Sequence, residues 1–307
     1  MSIGDYISYK LNLFICIVVV FMARGGGLIG GGNGSITLYY NATSGSTSYN
    51  ICYSGILGNV VAMVVDNKSV VPSATYSFGS SGEHIVDLYF DGLTDTVSYI
   101  IEDCDAYKVD FSNFSIPEAT TMSFWFRYCP NLTTVVGFDA VMSTLPQSDY
   151  INAYSWFRNC DSITSLSFLN VEYPQDMRVL NQWVRNCPKL TTLDFAPVSG
   201  SYAADILYLC RDCSSLSSVT LRNIWSSCPP SGGSLYPFSC FYAFRNCPSL
   251  KTVRLYQPIS VSSVSSDSSS NDMLGGTTPS GGTVYYKSGT ISYFLNNIPS
   301  GWSKRTF

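Results

Sequence analysis

Trp156-Phe157-Arg158-Asn159-Cys160-Asp161-Ser162-Ile163, followed by Leu166 and Phe168, is the stretch that decides how this chain is read. The same eight positions return as Trp125-Phe126-Arg127-Tyr128-Cys129-Pro130-Asn131-Leu132 and as Trp183-Val184-Arg185-Asn186-Cys187-Pro188-Lys189-Leu190. They return again as Leu209-Cys210-Arg211-Asp212-Cys213-Ser214-Ser215-Leu216 and as Ala243-Phe244-Arg245-Asn246-Cys247-Pro248-Ser249-Leu250. The last three copies in chain order continue with the same apolar pair: Leu193 and Phe195, Val219 and Leu221, Val253 and Leu255. A worn copy comes first, Ile101-Glu102-Asp103-Cys104-Asp105-Ala106-Tyr107, with Val109 and Phe111 behind it.

From cysteine to cysteine the steps are 25, 31, 27, 26 and 34 residues. Leucine-rich solenoids have coils of about 20–29 residues with an L-x-x-L-x-L strand, so the pattern fits such coils with two longer insertions. In each coil the two apolar residues of the strand share one side. A single coil cannot bury them, but stacked coils form a parallel sheet with strands about 4.8 Å apart and continuous apolar ladders. The residues between them point outward: Ser165 and Ser167, Thr192 and Asp194, Ser218 and Thr220, Thr252 and Arg254. That outer row is the candidate ligand face, because solenoids meet partners through their repeated surface.

The C-x-x-[LI] register resembles the BspA-like leucine-rich repeats of surface proteins in gut and oral bacteria, some protists and some bacteriophages. The resemblance covers roughly residues 97–256. It departs from the family in its irregular spacing and in lacking the isoleucine-proline step after the strand. Upstream, Val64-Val65-Asp66-Asn67-Lys68, Tyr76-Ser77-Phe78 and Gly82-Glu83-His84 resemble the small Ig-like modules that precede such repeats. The stretch reads as short strands (36–41, 48–53, 60–65, 75–78, 85–90) separated by turn residues. The expected fold is therefore mainly β with short helical or irregular segments: a small N-terminal Ig-like β-sandwich over 35–93, then a leucine-rich-repeat solenoid of about six coils over 94–256. A Ser-rich loop and a C-terminal cap are expected over 257–307. The cap would include a last strand at Val284-Tyr285-Tyr286 and a short helix from Tyr293 to Trp302.

The chain has 17 Lys and Arg, 21 Asp and Glu and a net charge of −4, without the basic stripe of a nucleic-acid binder. Its one histidine, His84, would have to serve any Ser-His-Asp or Cys-His site. It sits instead at the start of an alternating strand and reads as a polar residue there. Asp139, Asp149, Glu172 and Asp176 lie near insertions, but no spacing pairs them as a glycosidase would need. No catalytic residue, metal or cofactor is expected.

The repeat absorbs six of the 11 cysteines: Cys104, Cys129, Cys160, Cys187, Cys213 and Cys247. In-register neighbours about 4.8 Å apart suit a ladder of buried free thiols better than disulfides, which need Cβ atoms near 3.8 Å. Cys210-Arg211-Asp212-Cys213 is a C-x-x-C, but Cys210 takes the place of Phe126, Phe157, Val184 and Phe244, so it reads as core. Cys228 and Cys240, in the insertion 222–241, form the possible disulfide of an exported chain. Arg127, Arg158, Arg185, Arg211 and Arg245 would stack as a column, with Glu102 capping it at Arg127. Two readings stand for that column: donors to turn carbonyls at the coil corner, or a strip for an anion or acidic glycan. Most of the tyrosines, among them Tyr39, Tyr154, Tyr208 and Tyr242, read as packing.

Residues 11–23 are apolar but short of the roughly 20 that a spanning helix needs, so no stable membrane span is expected. They match the apolar part of a signal peptide, or a non-native start before Met22. Residues 25–34 read as a Gly-rich linker. The expected function is non-enzymatic: a surface-exposed recognition or adhesion module for a host-cell protein or glycan, extracellular or at the cell surface. The alternative is a virion component, such as a receptor-binding or decoration protein, which would assemble as an oligomer. A structural scaffold or a glycan-active enzyme is a lesser alternative.

Overall fold

A computed structural model describes residues 32–145, 150–166, 176–195, 206–222, 242–256, 273–274, 281–290, 295–296 and 298–307. Within them the protein is mainly β, with several sheets, none closed. The apolar segment 11–23, Ser167, Asp149, Glu172, Cys228 and Cys240 lie outside the described residues.

The first sheet begins with β1 (Gly34–Ala42), whose alternate residues Ile36, Leu38 and Tyr40 are fully buried. β3 (Val60–Val65), β4 (Lys68–Val70) and β6 (Gly82–Phe90) join it, then β7 (Lys108–Phe114) and β8 (Thr134–Val136), in the order β4-β3-β6-β1-β7-β8. Val86, Leu88 and Phe90 of β6 face the core, as the alternation predicts, while Ile85 is exposed. Asp66 and Asn67, with φ of 48° and 64°, make the two-residue turn from β3 into β4. Asx residues tolerate this left-handed conformation, and its twist suits a hairpin. The short β2 (Ser48–Asn50) and β5 (Thr75–Ser77) pair separately.

This sheet does not stop at residue 93. β7 lies antiparallel to β1, with Val109 opposite Leu38, and parallel to β8, with Val109 opposite Val135. The worn first repeat thus supplies the strand at which antiparallel pairing gives way to parallel pairing. The core runs continuously from Ile36 and Leu88 through Phe111 and Trp125 to Val253. Gly34, expected as the end of a linker, opens β1, and Asn33 before it bonds to Phe90 and Ser115. Asn33 is 5% exposed and accepts from Leu93 N at 2.9 Å while its amide donates to Ser115 O at 3.1 Å. Gly34 has φ +81°, and a Cβ there would stand 2.0 Å from Asn113 O, so only glycine fits.

Two further sheets follow the repeats. β9 (Tyr150–Asn152) and β10 (Asp176–Val179) pair in parallel. β11 (Thr192–Phe195), β12 (Ser218–Leu221), β13 (Thr252–Leu255), β14 (Thr283–Tyr286) and β15 (Ser303–Thr306) form a parallel sheet in that order. β14 was expected; β15 was not, because Ser303-Lys304-Arg305-Thr306 is exposed throughout and carries no apolar alternation. Of the expected helix over Tyr293–Trp302, residues 295–296 are helical and 291–294 fall outside the described residues.

Opposite the strands, each W-F-R-N-C segment bonds to the next copy. Phe124, Phe126 and Tyr128 donate their amides to the carbonyls of Tyr154, Trp156 and Arg158 at 2.8–2.9 Å. Ser155, Phe157 and Asn159 donate in the same way to Asn181, Trp183 and Arg185. Inside this corner Trp125, Trp156 and Trp183 are 0% exposed and follow one another at 5.5 Å between ring centroids, and Phe126 lies on Phe157 at 4.7 Å. The indole N–H of Trp125 donates to Val97 O and that of Trp156 to Met122 O, which satisfies their one polar atom. α1 (Phe138–Thr144) sets Phe138 edge-on to Trp156 at 5.3 Å and closes the stack laterally. At about 25 cal/mol per Å², each buried indole contributes on the order of 5 kcal/mol of transfer free energy.

Candidate functional site

The strand register sets the outward residues of the parallel sheet in rows. Thr192, Ser218, Thr252, Thr283 and Ser303 are aligned across β11 to β15, and Ser165 bridges to Thr192. Asp194, Thr220, Arg254, Tyr285 and Arg305 form the next row. The predicted face residues are therefore neighbours, as the period of two requires. They are not equally available. Ser165 and Thr192 are exposed, Asp194, Ser218, Thr252 and Arg254 are half-buried, and Thr220 is only 8% exposed. Thr220 sits between longer outward neighbours, Asp194 and Arg254, so it is a weak ligand contact.

A third row continues one step beyond the strands, and sequence reading missed it. Arg222 donates from Nε and Nη2 to the two carboxylate oxygens of Asp194, at 2.8 and 3.0 Å. Its guanidinium lies 4.4 Å from the centroid of the Tyr256 ring, and Tyr256 meets Phe307 at 4.9 Å. Lys287 lies 4.7 Å over the Phe307 ring, and Arg254 lies 5.2 Å from Tyr285. The signal for this row was the same alternation carried two residues past the second outward position. The expectation had counted only residues between the leucines.

At the coil corner the arginine column is formed, but it does not cap turn carbonyls among the described residues. Arg127 pairs with Glu102, the expected cap, and its guanidinium lies 4.1 Å over Phe124. Arg185 donates to Asp212 at 3.3 Å and to Gln182 at 3.2 Å. Arg211 and Arg245 lie over Tyr208 and Tyr242 at 5.2 and 4.5 Å. Each of those rings, like Phe124 and Gln182, belongs to a residue with positive φ just before the Trp, Leu or Ala of its segment. The second positive-φ position is the one before cysteine: Asp103, Tyr128, Asn159, Asn186, Asp212 and Asn246. The recurring Asn or Asp of the motif is thus a backbone requirement, since short polar side chains are the non-glycine residues that adopt this conformation most readily. Glu102 is 4% exposed, and burial holds its carboxyl above the usual range despite Arg127.

No family model, curated protein or solved structure matches the chain. Its chemistry is therefore read from its own side chains.

Cys104, Cys129, Cys160, Cys187, Cys213 and Cys247 are buried free thiols, as are Cys52 and Cys210. Each repeat thiol after the first donates to a carbonyl of the preceding coil. Cys129 reaches Ile101 O at 3.0 Å, Cys160 Phe126 O at 3.0 Å, and Cys187 Phe157 O at 2.9 Å. Cys213 reaches Val184 O at 2.9 Å and Cys247 reaches Cys210 O at 3.0 Å. A thiol is a weak donor that tolerates burial, which suits a core position needing one bond. Burial pushes the Cys52 and Cys104 thiols up to about 12, away from reactive thiolate. Cys210 stacks in the phenylalanine ladder as expected, fully buried. Among the described residues no cluster of His, Cys, Asp and Glu could hold a metal ion.

His84 has partners the sequence did not reveal. Its Nδ1 is 2.7 Å from Asp66 Oδ2 and its Nε2 is 3.5 Å from Ser80 Oγ, an Asp-His-Ser order. The Nε2 also faces the Ser80 carbonyl at 3.1 Å. Asp66 Oδ2 and the Ser80 carbonyl both only accept, so a ring with one N–H donates to one of them and a doubly protonated ring to both. Phe78 stacks on the ring at 4.4 Å, and His84 is 6% exposed. The geometry is that of a clasp tying the β3–β4 turn to the segment before β6. Of the carboxylates considered for an enzyme, Asp139 is exposed on the first turn of α1 and Asp176 lies on β10. Among the described residues no helix is long and apolar enough to cross a membrane.

Proposed function

We propose that the chain is a non-enzymatic recognition module, a leucine-rich-repeat solenoid of the BspA-like type preceded by a small Ig-like β unit. It is displayed at a cell surface or on a virion and binds a host protein or glycan through the outer face of its parallel sheet. One observation carries the reading: the outward residues of successive strands are in register, and in the row of Asp194, Thr220, Arg254 and Tyr285 their identities change from strand to strand. Repeated placement with varied chemistry is what a ladder-built binding surface requires. The inward positions, by contrast, hold Leu193, Val219, Val253 and Val284. The buried His84, stacked against Phe78, and the buried thiols support binding over catalysis.

The test is binding of the whole chain to epithelial and bacterial cells and to a glycan array. A variant carrying Ser218→Ala, Thr252→Ala and Tyr285→Ala on the sheet is compared with Arg158→Ala at the corner. Loss of binding in the sheet variant alone is the expected result. Full binding by the sheet variant, or turnover of a glycan by the purified chain, would overturn the reading. The N-terminal sequence of the native protein separates a cleaved surface protein from a chain starting at Met22.

A further inference from the structure

The outer face of the five-stranded sheet is unevenly charged. Its first row, Thr192, Ser218, Thr252, Thr283 and Ser303, carries hydroxyls alone. Toward β15 the other two rows bring together Arg222, Arg254, Lys287 and Arg305, with Tyr256, Tyr285 and Phe307 between them. The described carboxylate in those rows is Asp194, and Arg222 already holds it. A chain with 21 acidic against 17 basic residues thus gathers a local excess of cations on one surface.

We infer that this half of the face takes a carboxylated glycan, a polysaccharide whose sugars bear uronate groups; the inference rests on the recognition reading above and names its ligand class. Carboxylate geometry is already realised there, since Asp194 lies bidentate on Arg222, the pairing that a planar guanidinium favours. Arg254 is the cation best placed for a second carboxylate. Its one side-chain bond among the described residues is a long one, 3.4 Å to Ser218 Oγ, and the guanidinium is half-buried beside Tyr285. Partial burial lowers the dielectric, so an incoming carboxylate is held more firmly than at an exposed lysine.

Arg254 and Arg305 share a row two strands apart, roughly 10 Å. A polymer with repeated carboxylates engages both, and a monovalent acid engages one. The neighbouring row of hydroxyls offers donors and acceptors to sugar hydroxyl groups. Single-stranded nucleic acid fits less well. Its binding draws on bases stacked flat on open rings; Tyr256 and Phe307 are 36% and 42% exposed, but each already has a cation near its ring, Arg222 or Lys287, and the two meet edge to face.

Binding of the whole chain to polygalacturonate, to its fully methyl-esterified form and to single-stranded DNA tests the inference. The acid form is expected to bind, and the ester and the DNA to bind at least about tenfold more weakly, with affinity for the acid falling as salt rises. Arg254→Ala combined with Lys287→Ala is expected to weaken uronate binding roughly 100-fold, and Arg158→Ala at the corner to leave it unchanged. An unchanged denaturation midpoint for the double variant shows that its fold is intact. Equal binding of acid and ester, preference for DNA, or no uronate binding overturns the ligand class. If cell binding still depends on Ser218, Thr252 and Tyr285 in that case, the recognition reading survives. Uronate binding that ignores the double variant and is lost in Arg158→Ala moves the site to the arginine column and overturns both.

Discussion

The corner and the strand face of the stacked segments are built by opposite rules. At the corner, Trp156, Phe157, Asn159 and Cys160 each meet a neighbouring copy and each has a job inside the stack: indole core, phenyl core, left-handed turn, buried thiol donor; of the recurring arginines, Arg127, Arg211 and Arg245 lie over aromatic rings. On the strand face the inward positions of β11 to β14 stay apolar, while the second outward row, Asp194, Thr220, Arg254, Tyr285 and Arg305, holds four kinds of side chain. Where a residue type recurs, it answers a demand of the stack. Where it varies over a fixed position, the position is available to a ligand.

The comparison breaks first at the indole stack. Trp156→Ala is expected to cost about 3–5 kcal/mol, read as a lowered midpoint in urea, because the cavity lies between Trp125 and Trp183 and has no side chain able to fill it. A loss below about 1 kcal/mol would show that the corner is not the main source of stability.

Arg127→Ala leaves Glu102 buried and unpaired, at an expected cost of about 3 kcal/mol. Adding Glu102→Gln should recover most of that loss. A double variant no better than the single one would mean that Arg127 acts through packing on Phe124 alone.

The thiols give a pH signature. Their folded-state values are raised, so the unfolded chain releases protons first. Stability is fully present below about pH 9, the ordinary thiol value, and falls as pH rises toward about 12, the folded value of Cys52 and Cys104. Labelling with a thiol reagent at pH 8 is expected to miss Cys104, Cys129, Cys160, Cys187, Cys213 and Cys247 until denaturant is added. Rapid labelling of any of them in the native protein would contradict the buried ladder.

Smaller effects separate backbone from side chain. Asn159→Ala is expected to cost about 1–2 kcal/mol, since alanine resists the φ of 63°. Asn159→Gly should cost less, because glycine adopts that conformation freely. Equal losses would assign the position to the hydrogen bond that Asn159 accepts from Asn186, 2.8 Å away. Smallest of all, Thr252→Ala on the strand face should change stability by no more than about 0.5 kcal/mol while altering ligand binding.

Much of this was legible in the order of residues, for a local reason. The recurrence of Cys160 and Ile163 against Leu166 follows from a period set by one coil, and the outward parity of Thr192, Asp194 and Arg254 follows from the pleat of a strand. The cap of Arg127 by Glu102 was legible because copies in register bring equal positions together. Residues escaped where two distant stretches meet. β7 joins the first sheet, with an antiparallel neighbour on one side and a parallel one on the other, because β1, some 70 residues earlier in the chain, lies against it. Asn33 looked like linker because its partners, Leu93 and Ser115, are far away in sequence. His84 read only as a polar residue at a strand start because Asp66 reaches it only once the β3–β4 turn has formed.

By itself, then, the sequence determined the repeat: which residues turn inward, and that the thiols belong to the core. Those choices depend on steric and hydrophobic preferences acting over a few residues or one coil. Only the tertiary structure decided that β15 extends the parallel sheet, that Thr220 is covered, and that Arg222, Arg254, Lys287 and Arg305 share a surface with Tyr256, Tyr285 and Phe307. That surface arises from strands that are remote in the chain and adjacent in the sheet, and adjacency across a sheet is set by stacking rather than by any local pattern.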